Sequence, residues 1–207
     1  MAMSELQLPG AELEFDPHWL ARQEADELLA ALLGAVPWEV HRIRLFGREV
    51  DSPRLSCWIG DPEARYRYSG TLFAPRPWPA CLQAVRARLS RQLDVAFNSV
   101  LANRYRSGRD AMGWHSDSEP ELGPQPVIAS LSLGAPRRFK LRGRGPDAPG
   151  MDLDLPQGSL LVMRGDTQTN YRHALPRTAR PVDERINLTF RRIVDVVNPR
   201  WVEPLRR

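Results

Sequence analysis

The sequence predicts an α+β protein, mainly β, built as a sandwich or jelly roll with flanking helices. Between Asn98 and Ile193 short runs of β-forming residues recur with turn signals between them, the pattern of an antiparallel all-β unit. Two upstream stretches, one after Asp16 and one after Trp78, instead carry their leucines at helical spacing. At 207 residues the chain has length for one well-cored domain, and its 42% hydrophobic and 26% charged content is that of an ordinary globular protein.

Taken in order, Asp16-Pro17 reads as a helix N-cap with proline at the first position. Leu20, Leu28, Leu29, Leu32 and Leu33 then suit an amphipathic helix ending near Gly34. Residues 1–36 thus form an N-terminal helical segment. From Trp38 to Leu72 alternating runs are punctuated by Gly47, Asp51-Ser-Pro53, Gly60-Asp61-Pro62 and Ser69-Gly70, which predicts strands joined by tight turns. Trp78 opens a second helix with Leu82, Val85, Leu89 and Leu93 on one face, so that 37–97 reads as a β-rich lid with a supporting helix. Strands are predicted at 99–105, 127–133, 138–141, 151–155, 159–163, 171–175 and 185–193, within a core spanning 98–195 of the single domain 1–207. Gly143-Arg-Gly-Pro-Asp-Ala-Pro-Gly150 is too rich in Gly and Pro for regular structure.

The N-terminus has neither the basic start nor the apolar core of a secretory leader, and no apolar run approaches a membrane span, so a cytoplasmic protein without membrane contact is expected. Cys57 and Cys81 fit no metal or redox spacing and read as reduced thiols. Residues 1–36 hold seven acidic residues against one arginine. The remainder is strongly basic, with arginine at every basic position but Lys140, and suits a polyanionic partner.

His115 and Asp117 stand two apart, and in an extended strand both point to one face. With His173 they make two imidazoles and a carboxylate, the facial set of a non-haem Fe(II) site; alone, the His-x-Asp pair also suits a solvated surface. Arg185, Asn187, Thr189 and Arg191 alternate with Ile186, Leu188 and Phe190, giving one polar and one apolar face. That polar face is either a pocket wall or a solvent-facing edge. As a wall, its two arginines, about 20 Å apart along a strand, can converge on a short dicarboxylate. Leu101, Asn103 and Tyr105 share a face in the same way. Arg138, Lys140, Arg142 and Arg144 form a basic stripe suited either to phosphate or to solvent.

His115-x-Asp117, His173, Arg185-x-Asn187-x-Thr189-x-Arg191 and the upstream Asn103-x-Tyr105 together resemble the AlkB family of Fe(II)- and 2-oxoglutarate-dependent dioxygenases, over roughly residues 37–193. The resemblance implies a double-stranded β-helix with an N-terminal nucleotide-recognition lid. It also implies metal ligation by His115, Asp117 and His173, and 2-oxoglutarate held by Arg185 and Tyr105 at one end and by Arg191 and Asn103 at the other, with Leu101 and Asn187 on the same wall. Fe(II), 2-oxoglutarate and dioxygen are the implied cofactors. Tyr66-Arg-Tyr68-Ser-Gly70 and Pro53-Arg-Leu-Ser-Cys-Trp58 resemble the lid of homologues that repair alkylated DNA. There Tyr68 and the ring of His115 would clamp a flipped base, Tyr66 would assist, and Glu119 would accept from an exocyclic amine. Ile43-Arg-Leu45-Phe46-Gly47 resembles the hydrophobic finger of a duplex-acting homologue, with Phe46 as the wedge.

The expected activity is oxidative demethylation of 1-methyladenine and 3-methylcytosine in single-stranded or duplex DNA, by a monomer. The alternatives are a dioxygenase of the same fold acting on RNA or protein, and a nucleic-acid-binding jelly roll without catalysis.

Overall fold

A computed structural model of the chain describes residues 3–40, 42–45, 48–68 and 71–194, and at 42–45, 48–49, 66–68 and 71–73 only the course of the backbone. The elements run β1 (Ser4–Leu6), β2 (Glu12–Asp16), α1 (Arg22–Ala35), β3 (Arg42–Leu45), β4 (Arg48–Asp51), β5 (Leu55–Gly60), β6 (Tyr66–Tyr68), β7 (Thr71–Phe73) and α2 (Ala80–Leu93). The core follows with β8 (Ser99–Tyr105), β9 (Met112–His115), β10 (Ile128–Gly134), β11 (Arg137–Gly143), β12 (Gly150–Leu155), β13 (Leu160–Arg164), the single turn α3 (Thr167–Asn170), β14 (Tyr171–Leu175) and β15 (Arg185–Arg191).

Two antiparallel sheets make the jelly roll. Among the described residues the larger has the order β1-β2-β13-β10-β15-β8-β5 and the smaller β12-β11-β14-β9. Side-chain alternation gives the larger sheet two different faces. Outward go Val100, Ala102, Ala129, Leu131, Leu133, Leu160, Val162, Ile186, Leu188 and Phe190, which join Leu28 and Leu32 of α1 and Leu82, Val85, Leu89 and Leu93 of α2 in one core. Inward, the space between the sheets is divided. Leu13, Ile128, Leu161 and Met163 fill one part together with Phe139, Leu141, Leu155 and Tyr171, while the polar positions of β8, β10 and β15 line the other. The site is therefore the unfilled end of the sandwich.

The second helix lies where its leucine spacing places it. The first begins a turn later than expected. Asp16 closes β2 and accepts the His18 N–H at 2.8 Å, forming a local turn rather than a cap, and α1 starts at Arg22 without a side-chain cap. The N-terminal segment is consequently not all helical. Its strands β1 and β2 extend the larger sheet, Leu161 facing Phe15 and Met163 facing Leu13 across the β13–β2 ladder. The lid region also feeds the core, because β5 pairs with β8 from Leu55↔Arg104 to Gly60↔Ser99. The two remaining hairpins, β3–β4 and β6–β7, stand apart as two-stranded units.

The Gly- and Pro-rich 143–150 segment forms an ordered turn. β11 and β12 stay paired up to Arg142↔Gly150, and the Gly143 N–H donates to the Pro149 carbonyl at 3.0 Å. At Gly134, with φ of +81°, a side chain would collide with the Glu184 carbonyl. Glycine there lets the end of β10 close against the start of β15, which sets the register Gly134↔Arg185. No helix among the described residues is long and apolar enough to cross a membrane.

Candidate active site

His115 ends β9, and its cross-strand partner on β14 is His173, so the ladder itself brings the two rings together. Their centroids are 4.2 Å apart and edge-to-face. Asp117 lies beyond the end of β9 rather than in an extended strand, yet it reaches the same point. The ligand atoms of His115, Asp117 and His173 all fall within 4.8 Å of one another. Two bonds aim the aspartate. Arg191 donates from a terminal guanidinium nitrogen to Asp117 Oδ1 at 2.7 Å, and the Asp117 N–H donates to Gln168 Oε1 at 2.9 Å.

The electrostatics favour ligand protonation states. Burial, reinforced by His115, pushes the His173 imidazole down to about 3, so it is neutral at physiological pH. Burial also lowers His115, against a smaller opposing pull from Asp117. The carbonyl of Gly113 lies 2.8 Å from His115 Nδ1, and since a carbonyl can only accept, Nδ1 carries the proton and Nε2 keeps its lone pair for a metal. For Asp117 burial works against the charge, but Arg191 and both histidines outweigh it and hold the carboxyl at about 2. Two neutral imidazoles and one carboxylate form the donor set of non-haem Fe(II).

The rest of the wall is a ladder of matched polar residues. On β15 and β8 the partners are Arg185↔Tyr105, Asn187↔Asn103 and Thr189↔Leu101. On the other flank Ser132 faces Asn187 and Ser130 faces Thr189. One cavity is lined by these residues except Ser132, together with His115, Asp117, His173 and Arg191. The sequence expectation of a polar pocket wall thus describes the strand, and the solvent-facing alternative does not.

Arg185 is 2% exposed, and burial lowers its guanidinium to about 10, which leaves it charged at neutral pH. It donates to Ser132 Oγ at 2.9 Å, while its Nε has no hydrogen-bond partner among the described residues. A buried cation with an unanswered donor is costly unless a ligand completes it. Two guanidiniums lie near the Tyr105 ring, those of Arg185 at 5.3 Å and Arg137 at 5.9 Å from its centroid. Asn103 Oδ1 accepts from Arg54 Nε at 2.7 Å. The Asn187 amide is engaged by Ser130, the Leu131 carbonyl and Thr189.

Sequence reasoning missed several supports. Gln168, Ser130, Ser132 and Arg54 orient site residues from positions without a distinctive local pattern, and Phe139 packs its ring 5.3 Å from that of His173. Of the base-recognition residues, Glu119 follows the ligand segment, and its Oε2 is buried without a partner among the described residues. Tyr66 and Tyr68 occupy β6, whose backbone pairs them with Phe73 and Thr71. Phe46, at the expected fingertip of the β3–β4 hairpin, lies outside the described residues. The basic stripe on β11 is divided. Arg138 and Lys140 each meet an aspartate of β12, Asp154 at 2.9 Å and Asp152 at 2.9 Å, whereas Arg142 and Arg144 have no such partner among the described residues.

Comparison with known proteins agrees with this geometry. The family model of the 2OG-Fe(II) oxygenase superfamily matches residues 12–191. Alpha-ketoglutarate-dependent dioxygenase alkB homolog 3 of Rattus norvegicus is 38% identical over 189 residues, covering 86% of this chain and 62% of that protein. DNA oxidative demethylase ALKBH2 of Homo sapiens is 37% identical over 183 residues, covering 84% of this chain and 70% of that protein. The chain spans 62 to 64% of the length of the alkB homolog 3 proteins it matches. A solved structure of OsALKBH1 has the same fold at a TM-score of 0.57 and 17% identity, covering 92% of this chain and 99% of that one. With its jelly roll, its His-Asp-His group and a pocket fitted to Fe(II) and 2-oxoglutarate, the chain belongs to the AlkB family within the 2OG-Fe(II) oxygenase superfamily.

Proposed function

We propose that the protein is an oxidative demethylase of N-alkylated bases, acting on 1-methyladenine and 3-methylcytosine in DNA. The observation that carries this reading is one cavity with the His115, Asp117 and His173 donors and, on the same wall, the buried Arg185. The relatives named alkB homolog 3 and DNA oxidative demethylase ALKBH2 support the substrate class.

His115, Asp117 and His173 would hold Fe(II), leaving the remaining positions for 2-oxoglutarate and dioxygen. Arg185 would receive the distal carboxylate, its Nε supplying a donor that Ser132 does not use. Tyr105 would add a hydroxyl donor to that carboxylate, and the Arg54 bond to Asn103 would fix the amide that faces the keto-acid end. Arg191 pairs with Asp117 before a metal enters, so the buried carboxylate is never left uncompensated, and with Asn103 it would help hold the keto-acid end of the cosubstrate. Leu101 and Asn187 would complete the wall. Bound iron, with 2-oxoglutarate and dioxygen, supplies an oxidation that yields succinate and CO2 and hydroxylates the N-methyl group, which then leaves as formaldehyde.

No side chain is needed as nucleophile or base. The protein binds, aligns and excludes water. Glu119, with a buried acceptor oxygen lacking a donor among the described residues, suits the exocyclic amine of an extruded base. Tyr68 opposite His115 would form the clamp and Tyr66 would assist it, while Phe46 would fill the gap in a duplex.

The test is formaldehyde release from 3-methylcytosine oligonucleotides, single-stranded and duplex in parallel, after anaerobic Fe(II) loading. Release that requires 2-oxoglutarate is expected. Succinate formation without formaldehyde from any methylated oligonucleotide would keep the cosubstrate chemistry and remove the substrate assignment. Phe46→Ala should lower duplex repair more than single-strand repair, and equal losses would remove the wedge.

A further inference from the structure

The outer face of the smaller sheet has a feature the catalytic pocket does not use. Trp114 immediately precedes the ligand His115 on β9 but points to the opposite side of the sheet, and it is 44% exposed, the one exposed large aromatic among the described side chains. The guanidinium of Arg142 lies 5.2 Å from its ring centroid. Arg142 is directly opposite Arg172 across the β11–β14 ladder, and both are exposed. Like charges in directly opposed positions are unfavourable. Elsewhere on this face the problem is solved by acids, since Asp154 and Asp152 neutralise Arg138 and Lys140. Beside Trp114 no carboxylate among the described residues does so for Arg142, Arg144 or Arg172. Arg144 also reaches back to the site, donating to Ser116 Oγ at 2.8 Å between the two ligands His115 and Asp117.

We propose that Trp114, with Arg142, Arg144 and Arg172 around it, binds a stretch of single-stranded nucleic acid flanking the nucleotide held in the pocket. The inference rests on nucleic acid being the substrate. β9 is the edge strand of its sheet, so a chain folding over that edge can place one base inside against His115 and its neighbour outside on Trp114. An exposed aromatic flanked by uncompensated guanidiniums matches the two demands of an unpaired strand, a π-face for a base and cations for phosphates. A paired base is already stacked within its own helix and gains nothing from Trp114, so the surface discriminates in favour of single strands. Because neither contact reads base edges, it is indifferent to sequence.

The probe is unmodified, fluorescently labelled oligothymidylate of about 15 nucleotides, within the span of one such groove, with a duplex of the same length beside it. Binding is read by anisotropy on the intact protein, without turnover. Trp114→Ala is expected to weaken single-strand binding about 10-fold, with Trp114→Phe recovering most of it and duplex binding little changed. Arg142→Gln and Arg172→Gln should each lower the slope of log affinity against log salt by about one. Wild-type affinity in Trp114→Ala would overturn the stacking platform, as would equal losses on single strand and duplex. Unchanged oligonucleotide binding with loss of self-association in Trp114→Ala would overturn it in favour of a contact between copies. Since the probe carries no methyl group, failure of demethylation and failure of this surface are read in separate assays, and Mn(II) titration of each variant shows that the neighbouring ligand strand is intact.

Discussion

Asp117 has its two ends fixed from different parts of the chain. Arg191, at the end of β15, holds its carboxylate, and Gln168, on the single turn α3, holds its backbone N–H. Gln168 is 2% exposed, and its Nε2 points at Met163 Sδ, 3.4 Å away, so little else can be its task. Groups that orient a ligand without touching the metal typically matter 10- to 100-fold in metal affinity. Gln168→Ala should therefore weaken Mn(II) or Co(II) binding by about that factor with only a small change in melting temperature, and unchanged metal affinity would reduce Gln168 to packing. Removal of the ligands themselves should differ in kind. His115→Ala should abolish metal binding with little loss of stability. Asp117→Ala should in addition lower stability, because it removes the buried carboxylate that Arg191 holds at 2.7 Å; urea unfolding of the two variants separates the cases. His115, Asp117, His173 and Arg185 were legible in the sequence because their residue types, spacing and strand alternation coincide. Gln168 was not, since nothing in Thr-Gln-Thr indicates a partner 51 residues away.

At the scale of elements, α1 and α2 cover the outer face of the larger sheet, whose inner face is the site. Leu89 is fully buried there. Leu89→Ala should cost about 2–5 kcal/mol, measured by denaturant unfolding; a cost below about 1 kcal/mol would mean that α2 does not support the sheet. The loop joining β8 to β9 is tied differently. Asp110 is 6% exposed and accepts both the backbone N–H and the guanidinium of Arg106, at 2.9 and 2.8 Å. Burial opposes its charge, but the bonds from Arg106 prevail and hold the carboxyl below its ordinary 3.8. A carboxylate depressed in the folded state stabilises above its unfolded value and loses that contribution as pH falls through the folded one. The stability gap between wild type and Asp110→Asn should thus be full near neutrality and close below pH 3.8; a gap independent of pH would contradict the pairing.

The second helix and most core strands followed from periodicity, since their side chains change face every 3.6 or every two residues, whereas β9, too short to show a period, was not among the expected strands. The N-terminal strands did not stand out. Ser4–Leu6 is only three residues, and Glu12–Asp16, although alternating, finds its partner in β13 through pairs such as Val162↔Glu14, a relation that no local pattern encodes. Asp16-Pro17 carried a helix-start signal that the turn at His18 consumed.

For the whole molecule, the sandwich is filled with apolar side chains at one end and left polar at the other, and stability and function are joined at that polar end. Ligands that bind only the folded state raise its stability by mass action. The melting temperature should accordingly rise on adding Mn(II) and rise further with 2-oxoglutarate, and the second increment should vanish in Arg185→Met; its persistence would remove Arg185 from the cosubstrate site. The charge distribution acts at the same scale. An acidic N-terminal segment sits on a body whose basic residues are arginine except for Lys140, so a polyanion is attracted to the body and not to the segment. The measurement that bears most directly on the central claim is formaldehyde release from a single-stranded 3-methylcytosine oligonucleotide by the Fe(II)-loaded protein, with and without 2-oxoglutarate, beside His115→Ala. Release that requires 2-oxoglutarate and disappears in the variant is the predicted result. Release by His115→Ala at the wild-type rate, or none from the wild-type protein on any methylated nucleic acid, would contradict it.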